Sequence, residues 1–472
     1  MRKTKIVCTI GPSSEQPTVL KELILAGMDV ARLNFAHGDF SEHQKRIYDV
    51  KSISNELKKP VAVLLDIKGP EIRLGKIEAD NYLLATGDTL TLTTEEIIGD
   101  KFRISVSYKN LPSDVSVGTI ILLDDGLIEL EVKNVTGTEV VCVVKNNAKV
   151  KGRKSVNVPG IRVNLPGVTE KDKQHILFGI ENGVDIIAAS FVRSATDILE
   201  IKQILEDNNA GHINVIAKIE NQEGIDNLRE ILSVADGIMV ARGDLGVEVP
   251  SEDVPQIQKE MIRLCNVFGK PVITATHMLE SMQTNPRPTR AEASDVANSV
   301  LDGTDAVMLS GETAAGLYPV ESVKTMAKIL EKTEGKLDYN NLIRSRFKES
   351  RITTTEVLSH SAALNSLILD AKAIITPTES GFTPRMVAKY RPYSPIVAVT
   401  NKDCVVKSLC LVWGVIPILG DKSFSVDELI ECSINRASKL NLISKSDLVV
   451  ITAGIPLGKS GSTNLLKIQV VD

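Results

Sequence analysis

Eight short apolar runs of β type, each separated from the next by an amphipathic stretch, constrain this chain more than any other feature. They are Ile6 to Ile10, Met28 to Leu33, Val61 to Asp66, Ile186 to Ser190, Val215 to Ile219, Gly237 to Val240, Val272 to Ala275 and Ala306 to Leu309. Parallel strands need a long crossover, usually a helix, so alternation of the two predicts a parallel sheet. Eight such units are the number that closes a (β/α)8 TIM barrel. The stretches Ser41 to Leu57, Glu170 to Asn182, Asp253 to Phe268 and Thr289 to Leu301 carry apolar residues at three- and four-residue spacing, the pattern of helices with one buried face.

The alternation breaks after Asp66, where roughly 95 residues precede the next unit near Thr169. An unstructured loop of that length inside a compact domain is improbable. Its segments Asp88 to Thr93, Arg103 to Val106, Thr119 to Leu123, Leu127 to Val132 and Glu139 to Val144 are short, rich in Val, Ile and Thr, and punctuated by Gly, Asp and Asn. They predict an inserted all-β domain. It leaves at the carboxyl end of the third strand, the end where barrels keep their chemistry, and so reads as a lid.

A third pattern follows, with a helix at Glu356 to Leu369 and strands at Ala373 to Thr376, Ile396 to Val399, Val415 to Leu419, Leu448 to Thr452 and Leu466 to Val471. The expected organisation is a barrel of residues 1–69 and 168–339, a β-barrel lid of residues 70–167, and a C-terminal α/β domain of residues 340–472. A length of 472 residues with 43% apolar content supports two or three separate cores.

The six cysteines form no Cys-x-x-Cys pair and no cluster with His, which argues against zinc and for a reducing compartment. The start of the chain is too weakly apolar for a signal peptide, and no apolar run approaches the roughly 18 residues of a membrane span. A soluble, cytoplasmic protein is expected. A net charge of −5 with mixed signs offers no footprint for nucleic acid. Small molecules are the expected partners.

Charged and polar residues crowd the strand ends: Arg32-Leu-Asn34, Asp66-Ile67-Lys-Gly-Pro-Glu71-Ile-Arg73, Lys218-Ile-Glu220-Asn, Ala-Arg-Gly243-Asp244, Ala-Thr276-His277 and Leu-Ser310-Gly-Glu312. Any one could be a helix cap, but six on strands pointing the same way describe a rim built for chemistry. Lys218 and Glu220 lie two apart on a strand and project to one side, and the next strand delivers Asp244. Two carboxylates without His or Cys suit a hard cation, Mg²⁺ or Mn²⁺. A buried salt-bridge network is the bland alternative, and such networks are seldom a good route to stability. Arg32 and Arg73 offer forked donors suited to phosphate. The segment Gly454-Ile-Pro-Leu-Gly458-Lys459-Ser460 falls one residue short of a phosphate-binding P-loop and reads as an ordinary loop.

Together with Thr9-Ile-Gly-Pro, Arg32-Leu-Asn-Phe-Ala-His-Gly38, Asp124-Asp-Gly and Thr276-His-Met-Leu-Glu-Ser-Met, these motifs resemble the pyruvate kinase family from end to end, in its bacterial, three-domain type without an extra C-terminal domain. The resemblance implies transfer of the phosphoryl group of phosphoenolpyruvate to ADP, giving pyruvate and ATP in the last step of glycolysis. It implies catalytic roles for Lys218, Arg73 and Thr276, with Lys218 stabilising the phosphoryl group in flight and Thr276 relaying a proton through water, with Ser310 and Glu312 as candidate helpers. Glu220 and Asp244 would hold Mg²⁺. Arg32, Lys218, Gly243, Asp244 and Thr276 would meet the substrate, and Arg32, Asn34, His37, Arg73 and Lys154 the nucleotide.

A family K⁺ site maps to Asn34, position 36, Asp66 and the Ile67 carbonyl. Position 36 is Ala, without a hydroxyl, while Glu71 retains the acidic residue that accompanies K⁺ dependence, so the expectation is K⁺ use through a weakened site. His277 stands where Gln is common. Thr378, Ser380, Gly381 and Thr383 resemble the family's effector-phosphate loop, but Glu379 among them would repel fructose 1,6-bisphosphate. Another sugar phosphate, AMP or no effector stays open. The resemblance also implies a homotetramer. Two rival readings are another phosphoenolpyruvate- or pyruvate-handling barrel enzyme and an inactive sensor. Nucleotide-dependent turnover separates both from a kinase.

Overall fold

The eight barrel strands form where the apolar runs lie: β1 Lys5–Thr9, β2 Val30–Asn34, β3 Ala62–Ile67, β4 Ile186–Ala189, β5 Asn214–Ile219, β6 Gly237–Ala241, β7 Val272–Ala275 and β8 Ala306–Leu309. All pair in parallel, and β1 pairs with both β2 and β8, closing the barrel. The structure, a computed structural model, describes residues 1–349, 352–423, 425–456, 461 and 463–472.

Strand alternation sorts the side chains. On β3, Val63 and Leu65 face the helical layer, while Ala62 and Leu64 join Val7, Val30, Ile186, Ile216, Met239, Ile273 and Met308 inside the barrel. The same two-residue period carries the inward rows on to Thr9, Arg32, Asp66, Ser190, Lys218 and Ser310 at the carboxyl ends. The lower layers of the interior are therefore apolar and the top layer polar. Leu411 and Cys410 of the C-terminal domain join the inner core. Lys5 Nζ donates to the Val415 carbonyl at 2.7 Å, and Arg391 pairs with Asp305 at 3.0 Å, tying that domain to the end of the barrel away from the site.

The lid leaves after β3 and returns before the helix Glu170–Glu181. Thr169 and Asp172 form a capping box there, and Asp172 also accepts the Gly69 amide at 3.1 Å, pinning both ends of the insertion. A Cβ on Gly69, at φ +72°, would sit 2.7 Å from the Ser190 carbonyl, so the exit turn admits only glycine. The insertion contains a six-stranded sheet ordered Val156–Asn157, Ile120–Leu123, Ile128–Val135, Glu139–Val144, Thr89–Thr93 and Arg103–Ser105, around its own apolar core. A two-stranded ribbon of Tyr82–Leu84 and Ala148–Val150 accompanies it.

The C-terminal sheet runs Val415–Leu419, Ile396–Thr400, Ala373–Pro377, Leu448–Ala453, then antiparallel Leu465–Val470, as the sequence pattern predicts. Gly454 follows its fourth strand, whereas Gly458, Lys459 and Ser460 of the P-loop-like segment lie outside the described residues.

Candidate active site

The polar top layer is one connected network. Arg32 donates from Nε to Asp66 Oδ2 at 2.7 Å and from Nη1 to Thr9 Oγ1 at 2.8 Å. Lys218 Nζ reaches Asp66 Oδ1 at 3.2 Å, Glu220 Oε1 at 3.0 Å and Ser190 Oγ at 2.6 Å. Ser190 in turn donates to the Ile67 carbonyl at 2.8 Å. Strands β1 to β5, or the residue directly after each, thus contribute one or more members, and all of them are buried. Burial alone would strip Lys218 of its proton and protonate Asp66. Asp66 and Glu220 together more than offset this for Lys218, and Lys218 and Arg32 do so for Asp66, so both stay charged.

Glu220 is the exception. It is fully buried, and burial, together with the nearby Asp244 charge, raises its carboxyl well above the usual range despite Lys218. Its Oε2 accepts the Phe191 amide at 2.6 Å, but Oε1 makes no hydrogen bond of good geometry, even with Lys218 3.0 Å away. A buried carboxylate oxygen without a hydrogen bond, with a second acid beside it, has the chemistry of a cation ligand. Asp244 lies in the first turn of the helix Arg242–Glu248, directly after β6.

After β7 the backbone is strained. Thr276 and His277 take φ of +67° and +54°, as does Phe191 after β4 at +56°, and a β-branched residue there is costly. Arg242 holds this turn by donating to the Ala275 and Thr276 carbonyls at 3.1 and 2.6 Å. Thr276 Oγ1 accepts the Gly243 amide at 2.8 Å and donates to Ala275 O at 2.6 Å. Glu312, also fully buried, accepts the amides of Leu279 at 3.0 Å and Ser310 at 2.7 Å. Among the described residues, neither Ser310 nor Glu312 bonds Thr276, and Ser310 Oγ is buried without a partner.

The lid closes over this rim. A cavity of about 530 Å³ between the two is lined by Arg73, Asn157, Arg193, Asn221, Asp244 and Glu248 among others. The lid is latched by Asn157 to Glu248 at 2.7 Å and by Arg193, which donates to the Val163 and Leu165 carbonyls at 3.0 and 2.7 Å. A second cavity, of about 500 Å³, is bordered by Ala36, His37, Lys68, Arg73 and Arg153. Arg73 lines both and is held by Glu71 at 2.6 Å and the Arg153 carbonyl at 2.9 Å. Lys154 pairs with Asp124 at 2.7 Å, where Asp124 and Asp125 turn the chain at positive φ.

Arg32, Asp66, Ile67, Lys218 and Glu220 are thus brought into one network, with Thr276 and Gly243 bonded to each other on the neighbouring strand ends. Asn34 Oδ1 accepts the Ala36 amide at 3.1 Å. Thr378, Ser380 and Gly381 lie apart, between a C-terminal strand and the helix Phe382–Ala388, with Thr383 in that helix's first turn. There Thr378 accepts the Gly381 amide at 3.0 Å, Thr383 meets Thr463 at 3.0 Å, and Glu379 is paired with Lys402 at 2.7 Å, which tempers its repulsion of an anion. Sequence reasoning missed Ser190 and Arg242. Ser190 was signalled by its place at the end of the fourth apolar run, on the inward side.

Comparison with known proteins agrees with this geometry. Residues 1–323 match the family described as pyruvate kinase, barrel domain, and residues 356–469 match pyruvate kinase, alpha/beta domain. The chain is 56% identical to a pyruvate kinase of Geobacillus stearothermophilus and 54% to one of Bacillus licheniformis, in each case over its whole length and about four-fifths of the relative's (80% and 81%). A crystal structure of a pyruvate kinase from Cryptosporidium parvum superposes with a TM-score of 0.95 at 40% identity, covering 100% of this chain and 96% of that one. The chain belongs to the pyruvate kinase family.

Proposed function

We propose that the chain transfers the phosphoryl group of phosphoenolpyruvate to ADP, giving pyruvate and ATP as the last step of glycolysis. The observation that carries this reading is Lys218, buried yet held as a cation by Asp66 and Glu220, at the mouth of a barrel roofed by a cationic lid edge. Phosphoryl transfer needs positioning and charge neutralisation more than covalent help, and this site supplies both. Arg73 and Lys218 face the transferred group. Arg32, Asn34, His37, Arg73 and Lys154 meet the nucleotide, while Arg32, Lys218, Gly243, Asp244 and Thr276 meet the substrate. The working units are residues 1–69 with 168–339, 70–167 and 340–472, in a cytoplasmic homotetramer. Its third unit holds the candidate phosphate-effector loop, and no helix among the described residues is long and apolar enough to cross a membrane.

Glu220 and Asp244 would hold Mg²⁺ or Mn²⁺. When bound, such an ion supplies neutralising charge and orients phosphate oxygens. Two carboxylates leave positions for water and phosphate, as magnesium prefers. Asn34, Asp66 and the Ile67 carbonyl would hold K⁺. Asp66 already balances Arg32 and Lys218, and Ala36 adds no oxygen, which supports a weakened K⁺ site.

The test of the function is ADP-dependent pyruvate formation with Mg²⁺, in K⁺ or in tetramethylammonium. Activity that rises at least about tenfold with K⁺ is expected. Equal activity in both salts would overturn the K⁺ assignment, and folded protein inactive in both would overturn the function. Thr276→Ala is expected to slow exchange of pyruvate's methyl protons by about 10²-fold or more, the range of general acid–base catalysis, and phosphoryl transfer less. Equal loss of both would refute the proton relay.

A further inference from the structure

The end of β2 and the segment after it carry Asn34 and His37, and something must hold that segment open to the cleft. It is pinned from behind. His43, in the first turns of the helix Phe40–Glu56, is only 1% exposed. Its Nε2 lies 2.8 Å from the His37 carbonyl, and its ring stacks on Phe35 with centroids 4.0 Å apart and planes 14° off parallel. A carbonyl only accepts, so Nε2 carries the proton in the neutral ring. Nδ1 is then a bare lone pair, buried and without a partner. Gly38 sits at φ +81°, and a Cβ there would come within 3.2 Å of His43 Nε2, so the turn and the imidazole are fitted to each other.

We propose that His43 is a positioning residue for the nucleotide: its Nε2–H and its stacked ring hold the Asn34–His37 segment in the conformation that receives ADP, and its protonation releases that segment. This rests on the reading that the segment meets the nucleotide. Protonation would add a charged Nδ1–H to a buried ring stacked on Phe35, with no acceptor to receive it. Burial disfavours the charged ring, the His37 carbonyl, Glu42 and the N-cap Asp39 favour it, and Arg46 opposes it; from the helix Glu170–Glu181, His175 adds a second imidazole whose own neighbours are Asp172 and Lys171. Burial outweighs the favourable groups, so the His43 pKa lies below the usual histidine range. The released segment would titrate near the ordinary value of about 6.5. With the folded pKa lowered, the stability His43 lends the ordered segment is fully present above about pH 6.5 and is progressively lost as pH falls below it.

Steady-state kinetics of the full chain test this. His43→Phe keeps an aromatic ring and removes the donor; KM for ADP is expected to rise about tenfold, the usual worth of one buried hydrogen bond, with KM for phosphoenolpyruvate within about twofold. His43→Gln places an amide N–H near Nε2; it should restore KM for ADP to within about threefold and remove the rise in that KM that the unsubstituted protein shows below about pH 6.5. The His37→Ala variant separates the two readings. If it raises KM for ADP while His43→Phe does not, the positioning role is overturned and the nucleotide segment stands. If His37→Ala leaves KM for ADP unchanged, both fall. If His43→Phe fails to fold, the pH profile of His43→Gln decides, and a profile superimposable on that of the unsubstituted protein overturns the proposal.

Discussion

Replacing Lys218 with methionine will cut ATP formation by about 10³- to 10⁵-fold, the range over which a single cation on a transferring phosphoryl group acts. Methionine keeps the length and apolar stem of lysine and deletes only the ammonium. Deletion leaves Asp66 and Glu220 buried with one counter-charge fewer, so a stability loss of about 3–5 kcal/mol is also expected. The two effects separate experimentally. The kcat per folded molecule reports the first, and thermal unfolding reports the second. Exchange of pyruvate's methyl protons supplies the contrast, because that half-reaction needs no phosphoryl group in flight. It should survive within about tenfold in Lys218→Met and collapse in Thr276→Ala, two opposite signatures from residues on neighbouring parts of one rim. Loss of both half-reactions alike in well-folded Lys218→Met would mean that the lysine serves the network as a structural counter-ion. Lys218→Arg is not a gentle version of this experiment. Three acceptors from three strands, Asp66, Ser190 and Glu220, converge on a point charge, and a planar fork cannot present donors to all of them.

The barrel was legible in the sequence because both faces of its strands are buried. Runs such as Val272 to Ala275 and Ala306 to Leu309 are therefore continuously apolar, and they match the observed strands end for end. The lid's longer strands were legible through their β-branched content. Tyr82–Leu84 and Ala148–Val150 were not, because three residues in antiparallel pairing leave no period to read. Alternation also placed Lys218 and Glu220 together without a structure. What alternation alone cannot carry is the third dimension: Ser190 bridges Lys218 to Ile67 across three strands, and Arg242 anchors the strained turn of Thr276 from the next strand over. Those partnerships depend on barrel closure and stagger. Likewise Glu312 was grouped with Thr276 from its motif, whereas the fold spends both its oxygens on the amides of Leu279 and Ser310. That makes Glu312 a brace for the two strand ends and leaves water and the unpartnered Ser310 hydroxyl to serve any relay.

Glu220→Gln will weaken divalent-metal binding by at least about 100-fold and kcat by about 10³-fold at saturating Mg²⁺. Loss of a ligand should exceed the 10- to 100-fold typical of losing a group that merely supports one. Gln is nearly isosteric and still offers an oxygen to the Phe191 amide, so the strained turn after β4 should persist. The metal-free protein provides the sharper test, since it does not depend on turnover. Burial and Asp244 make the Glu220 charge unfavourable when no cation is present, and one of its oxygens has no hydrogen bond. Removing that charge should therefore change the melting temperature of the metal-free protein by no more than about 1 °C, roughly 1 kcal/mol at this size. Added Mn²⁺ with phosphoenolpyruvate should stabilise the unsubstituted protein through mass action and leave Glu220→Gln largely unmoved. Asp244→Asn, on the more open side of the pair, should show the same loss of metal response. Unchanged Mn²⁺ affinity in both variants, measured from the resonance of free Mn²⁺, would place the metal elsewhere. It would reduce the Lys218–Glu220 pair to the buried salt bridge that its distances alone also allow.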